Sequence, residues 1–233
     1  MRKPASDESS RIIDVSHTIE DGMITYHGLP GPHVCDYLSR EASRERYAAG
    51  TEFLISEITM VGNTGTYVDA PFHRYADGAD LAELPLSSLV NLELVIVRGD
   101  PGEKRAITSA SLNEREVQGR AILFNPGWDR HWRSSQYHIG HPYLVAELAQ
   151  RLVDMGAVLV GIDSFNIDCT DDGARPVHST LLRAGIPIVE HLRGLSEAPE
   201  TGGRFFAAPA KVRAFGSFPV RAFVLAPVVP PTH

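Results

Sequence analysis

Four short apolar runs constrain this chain most. They lie at 92–97, 121–124, 157–162 and 186–189. Each is rich in aliphatic residues, and the pattern predicts buried strands. Further strands are predicted at 11–16, 52–61, 203–212 and 219–229. Helices fit between some of them. The clearest is 142–155, where Leu144, Val145, Leu148, Leu152 and Val153 share a face. There Pro142 suits the first turn and Gly156 the position past the end. A second helix is predicted near 176–183, ending at Gly185. A third is predicted near 109–118, where Ser111 and Glu114 form a capping-box pattern. Strands alternating with helices, with extra β at both ends, predict an α/β domain with a mixed β-sheet core and flanking helices. That single domain is expected over 11–233, after a disordered polar tail at 1–10.

A chain of 233 residues with 43% hydrophobic content can bury a substantial core. Its net charge of −7 argues against a nucleic-acid partner, as does the scatter of its 22 basic residues. No apolar stretch approaches the roughly 20 residues that cross a bilayer, so no membrane partner is expected. The polar N-terminus lacks a signal-peptide h-region. Two cysteines, Cys35 and Cys169, are too few for a disulfide framework, so a cytoplasmic location is the expectation. No GxGxxG or Walker A loop supports nucleotide binding.

The chemistry gathers in Asn63-Thr64-Gly65-Thr66-Tyr67-Val68-Asp69-Ala70-Pro71-Phe72-His73. Pro71 fixes its own backbone and biases Ala70 toward extended geometry. That stiff link would hold the Asp69 carboxylate and the His73 imidazole at a set separation. Gly65 allows a tight turn. The plainer alternative is a surface turn in which Asp69 caps a helix and His73 is incidental. Far downstream, His178 and Glu190 flank half a helix, a turn and a buried strand. A Glu190 carboxylate at that strand end needs a metal, an arginine or a proton. Arg183 and Arg193 are its candidate arginines. Asp163 and Asp168, at the end of another strand, suit a turn or a ligand pocket. Gly127-Trp128 follows a further strand, and Trp128 suits a pocket wall, the core or an interface.

Together these segments resemble one family. The motif is similar to the His-x-Gly-Thr-His-x-Asp-x-Pro-x-His pattern of the cyclase family, which includes bacterial kynurenine formamidases and isatin hydrolase. Asp14-Val15-Ser16-His17, Gly127-Trp128, His141-Pro142-Tyr143 and Gly161-Ile162-Asp163-Ser164 also match, as do His178 and Glu190 in type and spacing. The resemblance runs from about residue 11 to the last strand and implies the family's swivelling β/β/α-like domain. It implies Asp69, His178 and Glu190 as ligands of one divalent metal, manganese or zinc, and His73 as general acid/base. Asn63 and Tyr67 stand where the family pattern has ligand histidines. An Asn carbonyl is a weak neutral ligand, and Tyr binds metal well only as phenolate.

The leading reading is a hydrolase of a small amide, lactam or ester. His73 would move protons, Tyr67 would meet the developing oxyanion, and Asp69 would serve both metal and catalysis. Asn63, Phe72, Trp128 and Phe165 are the candidate substrate-binding residues. A second reading drops the metal and uses Tyr67, His73 and Asp69 for elimination, isomerisation or ring closure. A third is a binding protein without catalysis. The resemblance also implies a homodimer or homotetramer, and 222–229 suits either an interface strand or an interior one. Arg40, Arg44 and Arg46 suit either an anionic substrate or a solvated face.

Overall fold

The computed structural model describes residues 10–99, 102–112 and 115–228. The tail expected at 1–10 therefore lies outside the described residues except for Ser10, and so do Glu114 of the capping box and Val229. The strands in chain order are β1 (Ser10–Asp14), β2 (His33–Leu38), β3 (Ile55–Thr59), β4 (Tyr67–Asp69), β5 (Leu92–Arg98), β6 (Ala106–Ile107) and β7 (Ala121–Asn125). They continue with β8 (Tyr143–Leu144), β9 (Leu159–Ile162), β10 (Ile188–Glu190), β11 (Arg204–Phe206), β12 (Ser217–Pro219) and β13 (Phe223–Pro227). The α-helices are α1 (Arg40–Ser43), α2 (Ala146–Asp154) and α3 (Pro176–Arg183).

The four apolar runs become β5, β7, β9 and β10, which lie side by side and parallel. Antiparallel strands complete the mixed sheet, in the order β1-β13-β11-β5-β7-β9-β10-β4-β12. The runs are nearly continuous because both sheet faces are covered. Leu94, Ile96, Leu123 and Val189 face a core shared with Val68, Phe205 and Val224. Val95, Val97, Ile122, Phe124 and Ile188 face the other way, against Leu148 and Leu152 of α2 and Leu181 of α3. Each such aliphatic contributes on the order of 1.5–3 kcal/mol when fully buried.

The sheet curls. β12 lies at one edge of the order and β13 second from the other, yet only residues 220–222 separate them. A link that short spans roughly 14 Å at most. Val220 N–H donates to Thr66 O (2.9 Å) and Val15 N–H to Ala222 O (3.0 Å), tying both ends of the link to the sheet.

The boundaries differ from expectation where tertiary pairing overrides local pattern. Tyr143 and Leu144 join a small parallel sheet with β6, so the helix starts at Ala146 and Pro142 precedes it. Near 109–118 the chain makes only a 3-10 turn, Ser109–Leu112. The expected strand at 219–229 resolves into β12 and β13, which serve different parts of the sheet. β13 is interior, between β1 and β11, and so is not an interface edge. α3 has the expected bounds, and Gly185 follows it at φ +76°.

Candidate active site

Strand register assembles the centre. β10 pairs antiparallel with β4, setting Glu190 opposite Tyr67 and Ile188 opposite Asp69. Side chains alternate along a strand, so Tyr67, Asp69 and Glu190 share one face while Val68 and Val189 point into the core. Asp69 is thus a strand residue rather than a helix cap. Ala70 is extended (φ −91°, ψ 161°), and Pro71 opens the 3-10 turn Pro71–His73 that carries the imidazole. Gly65 takes φ +64°, a conformation glycine adopts without steric cost.

α3 delivers His178 to the same face. Asp168 accepts from Val177 N–H (2.8 Å) and His178 N–H (2.9 Å) at the helix start. Its Oδ2 also lies 2.7 Å from His178 Nδ1. Nδ1–H is thereby committed to Asp168, and Nε2 lies 3.6 Å from Asp69 Oδ2 and 3.8 Å from Glu190 Oε1. Ligand atoms of Asp69, His178 and Glu190 all lie within 4.8 Å of one another.

This donor set fits a divalent cation. Asp69 Oδ1 accepts from Ser217 Oγ, but its buried Oδ2 has no hydrogen-bond partner. An acceptor left so costs on the order of 1–3 kcal/mol. Among the described residues Glu190 has no arginine partner: Arg183 pairs with Asp77, and the Arg193 backbone N–H bonds Val15 O. Instead Glu190 Oε1 accepts from Ile167 N–H (2.6 Å) and Oε2 from Tyr67 Oη (2.5 Å). Burial, reinforced by Asp69, pushes the Glu190 carboxyl above its ordinary range against the pull of His178. Burial alone would lower His178. The carboxylates of Glu190, Asp168 and Asp69 outweigh it and hold the imidazole at about 10. Without a metal, a protonated His178 supplies the positive charge this cluster demands. Two carboxylates and an imidazole suit zinc or manganese.

Two phenols flank Glu190. Tyr26 Oη lies 3.0 Å from Tyr67 Oη, 3.0 Å from Phe165 O and 3.3 Å from Glu190 Oε2. Burial and the Glu190 charge push both phenols well above their ordinary range, so both stay neutral. Asn166 Nδ2 donates to Tyr26 Oη at 3.0 Å.

His73 stands at the rim, its side chain 37% exposed. Ser217 Oγ lies 2.9 Å from His73 Nδ1 and gives its proton to Asp69 Oδ1. A hydroxyl carries one proton, so here it accepts from Nδ1–H. In the neutral ring this fixes the tautomer, with the lone pair on Nε2. Gly216 permits the approach, since a Cβ there would lie 2.6 Å from His73 Cα. A cavity of about 280 Å³ opens among Tyr26, Asn63, Tyr67, His73, His178 and Glu190. A larger depression of about 640 Å³ includes Glu93, Arg120 and Arg204, whose charges pair with one another.

Residues 13–169 match the family model described as putative cyclase. The chain belongs to the cyclase family. It is 27% identical over 219 residues to the kynurenine formamidase of Bacillus cereus, an alignment covering 93% of this chain and 98% of that one. Its fold is similar to isatin hydrolase A from Labrenzia aggregata, with a TM-score of 0.78 at 19% identity over 93% and 94% of the two chains. A potential metal-dependent hydrolase with cyclase activity gives a TM-score of 0.75 at 27% identity, over 93% and 98%.

In this cyclase-family chain Asn63, Tyr67, Asp69, His73, His178 and Glu190 come together. Three expected wall residues sit elsewhere. Phe165 lies behind Tyr26, ring centroids 4.7 Å apart. Trp128 is turned away, its Nε1–H on Tyr137 O at 3.0 Å. Phe72 lines an adjoining depression that shares Asn63 and His73 with this cavity. Of the loop arginines, Arg44 pairs with Glu52 on the surface (2.7 Å). Tyr26, Ser217 and Asn166 were not legible as site residues, because register and loop closure bring them in. Asp163 takes the turn role, accepting from Gly127 N–H at 3.0 Å. Among the described residues, no helix is long and apolar enough to cross a membrane.

Proposed function

We propose that this chain hydrolyses a carbon–nitrogen bond other than a peptide bond in a small amide or lactam. Asp69, His178 and Glu190 would hold one divalent metal, and His73 would act as general base and then acid. The observation that carries this reading is the unpartnered Asp69 Oδ2 facing His178 Nε2 beside Glu190 Oε1. Kinship with kynurenine formamidases supports the bond class. Zinc or manganese bound there would polarise the carbonyl and lower the pKa of water.

The chain's own groups do the rest. Asp168 holds His178 with Nε2 inward. The relay from His73 Nδ1 through Ser217 to Asp69 keeps Nε2 free to take a proton from water. The same atom returns that proton to the departing amine. Tyr67, where the family pattern has histidine, commits its hydroxyl proton to Glu190 Oε2, and Tyr26 braces it. Asn63 lines the cavity, and its side-chain amide bonds no other side chain or backbone group among the described residues, so it can meet the developing oxyanion.

A second reading has its own support. His178, held at about 10, already neutralises the cluster as a cation. Tyr67 and His73 could then run metal-free elimination or isomerisation with Asp69. Chelation decides between them. Turnover of formanilide or a small lactam that is lost on chelation and restored by zinc or manganese supports the hydrolase. Activity that survives exhaustive chelation transfers the chemistry to Tyr67 and His73. The homodimer or homotetramer implied by family resemblance is part of the proposal. Exposed Val34 and Ile58, cross-strand partners on β2 and β3, offer an apolar pair for it, and light scattering reads its mass.

A further inference from the structure

A separate depression of about 450 Å³ shares no lining residue with the catalytic cavity among the described residues. Three segments meet in it. The chain after β1 brings His17 and Thr18, the turn after β7 brings Trp132 and Arg133, and the chain after β10 brings Arg193. With Arg130, Glu20 and Asp129 it holds three arginines against two carboxylates, in a chain of net charge −7. Both carboxylates are partly spent. Asp129 Oδ2 accepts from Gly194 N–H at 2.7 Å, and Glu20 pairs with Arg133 at 2.8 Å. That ion pair is exposed on both sides, so water screens it and Arg133 can take a second partner. Arg193 makes no ion pair among the described residues. Its backbone N–H on Val15 O (3.1 Å) fixes where its side chain starts.

Both guanidinia act on the floor of the depression. There His17 stacks on Trp132, and its Nε2 has no hydrogen-bond partner. Burial first, and then the charges of Arg193 and Arg133, push its imidazole down to about 3. The field at the floor is therefore set by the two guanidinia rather than by Glu20 or Asp129, and it selects an anion. Arg133 and Arg193 arrive on different loops, so their donors converge from separate directions. A carboxylate has two oxygens, and one guanidinium fork occupies both. A phosphate monoester has three terminal oxygens and about two charges at neutral pH, so it can engage both guanidinia and the Thr18 hydroxyl. We infer that this depression is a binding site for a phosphate group, free or carried by a small molecule, held between Arg133 and Arg193 beside Trp132. The site does not depend on the hydrolase reading.

The probes are inorganic phosphate, phenyl phosphate and acetate, each titrated calorimetrically into the full chain at low salt. Phosphate is expected to bind about tenfold or more tighter than acetate. Equal affinity for the two phosphates points to free phosphate as the occupant. Tighter phenyl phosphate points to an esterified one, with its ring against Trp132. Arg193→Gln should weaken phosphate binding about tenfold, and Arg133→Gln/Arg193→Gln should weaken it about tenfold again. Arg193→Lys should keep part of it. Glu20→Gln, which frees Arg133 of its carboxylate, should tighten it. All three side chains are exposed, so these variants are expected to fold, and circular dichroism reports it. Arg175→Gln, on the catalytic cavity, should leave phosphate binding unchanged. No heat with phosphate up to millimolar concentration, or binding that the Arg193 and Arg133 variants leave intact, overturns the inference. So does binding lost in Arg175→Gln, which would move the anion to the catalytic cavity.

Discussion

Asp69 and Asp163 are wholly buried carboxylates at strand ends of one sheet. Asp163 is surrounded by donors. Asn125 Nδ2 and Gly127 N–H (3.0 Å) reach its Oδ2, and Trp128 N–H (3.4 Å) reaches Oδ1. It clamps the turn after β7, where Gly127 takes φ +74°. Asp69 has one donor, Ser217, and an Oδ2 that meets no protein donor but faces His178. Burial of an acid therefore does not distinguish structure from chemistry in this protein. The distinction is a lone pair left open toward a second carboxylate and an imidazole.

The comparison breaks most visibly in catalysis. His73→Ala should lower kcat by about 10²–10⁴-fold with the fold intact, since it removes the imidazole placed to carry the proton at the rim. Unchanged turnover of a formamide probe would sink the proton-transfer role. Asp168→Asn should weaken metal binding by roughly 10–100-fold, because His178 loses the partner that orients it. Competition with a chromogenic chelator measures this, and wild-type affinity would show that Asp168 only starts α3. Asp163→Ala should do the converse. It strands three buried or half-buried N–H donors and should cost on the order of 2–4 kcal/mol in urea unfolding while metal content stays at the wild-type level.

Two pH effects follow, with signs set by linkage. Burial, reinforced by Asp129, pushes Asp163 up to about 7 from an ordinary 3.8. Its folded form holds a proton the unfolded form releases, so that contribution to stability is full below 3.8 and is lost as pH rises through about 7. His17 runs the other way. Half-buried against Trp132 (ring centroids 3.9 Å apart) and near Arg193 and Arg133, it is pushed down to about 3. The unfolded chain takes up a proton below 6.5 that the fold refuses, so stability falls as pH drops from 6.5 toward 3. The slope is about 1.4 kcal/mol per pH unit. Urea melts at pH 4, 5 and 6 should show this slope, and His17→Phe should remove it while keeping the stack on Trp132. An unchanged slope in that variant assigns acid sensitivity to another group.

Much of this was readable from the chain. The continuous apolar runs marked the buried strands because burial on both faces leaves no polar positions to interrupt them, while their parallel pairing emerged only from the fold. The motif gave Asp69 and His73 because Pro71 sets their spacing locally. Ser217 and Tyr26 were not readable. Ser217 meets His73 across 144 residues through β12 pairing, and Tyr26 meets Glu190 across 164. No local periodicity encodes such contacts. Trp128 misled because a tryptophan after a strand reads alike whether it lines a cavity or caps a turn.

Asp69, His178 and Glu190 are proposed to hold a metal that Asp163 does not. Elemental analysis by inductively coupled plasma mass spectrometry tests it most directly, on wild type, Asp69→Ala and Asp163→Ala. About one zinc or manganese per chain is expected in wild type and Asp163→Ala, and none in Asp69→Ala. Full turnover by wild-type protein without metal, or an Asp69→Ala protein that keeps its ion, would contradict it.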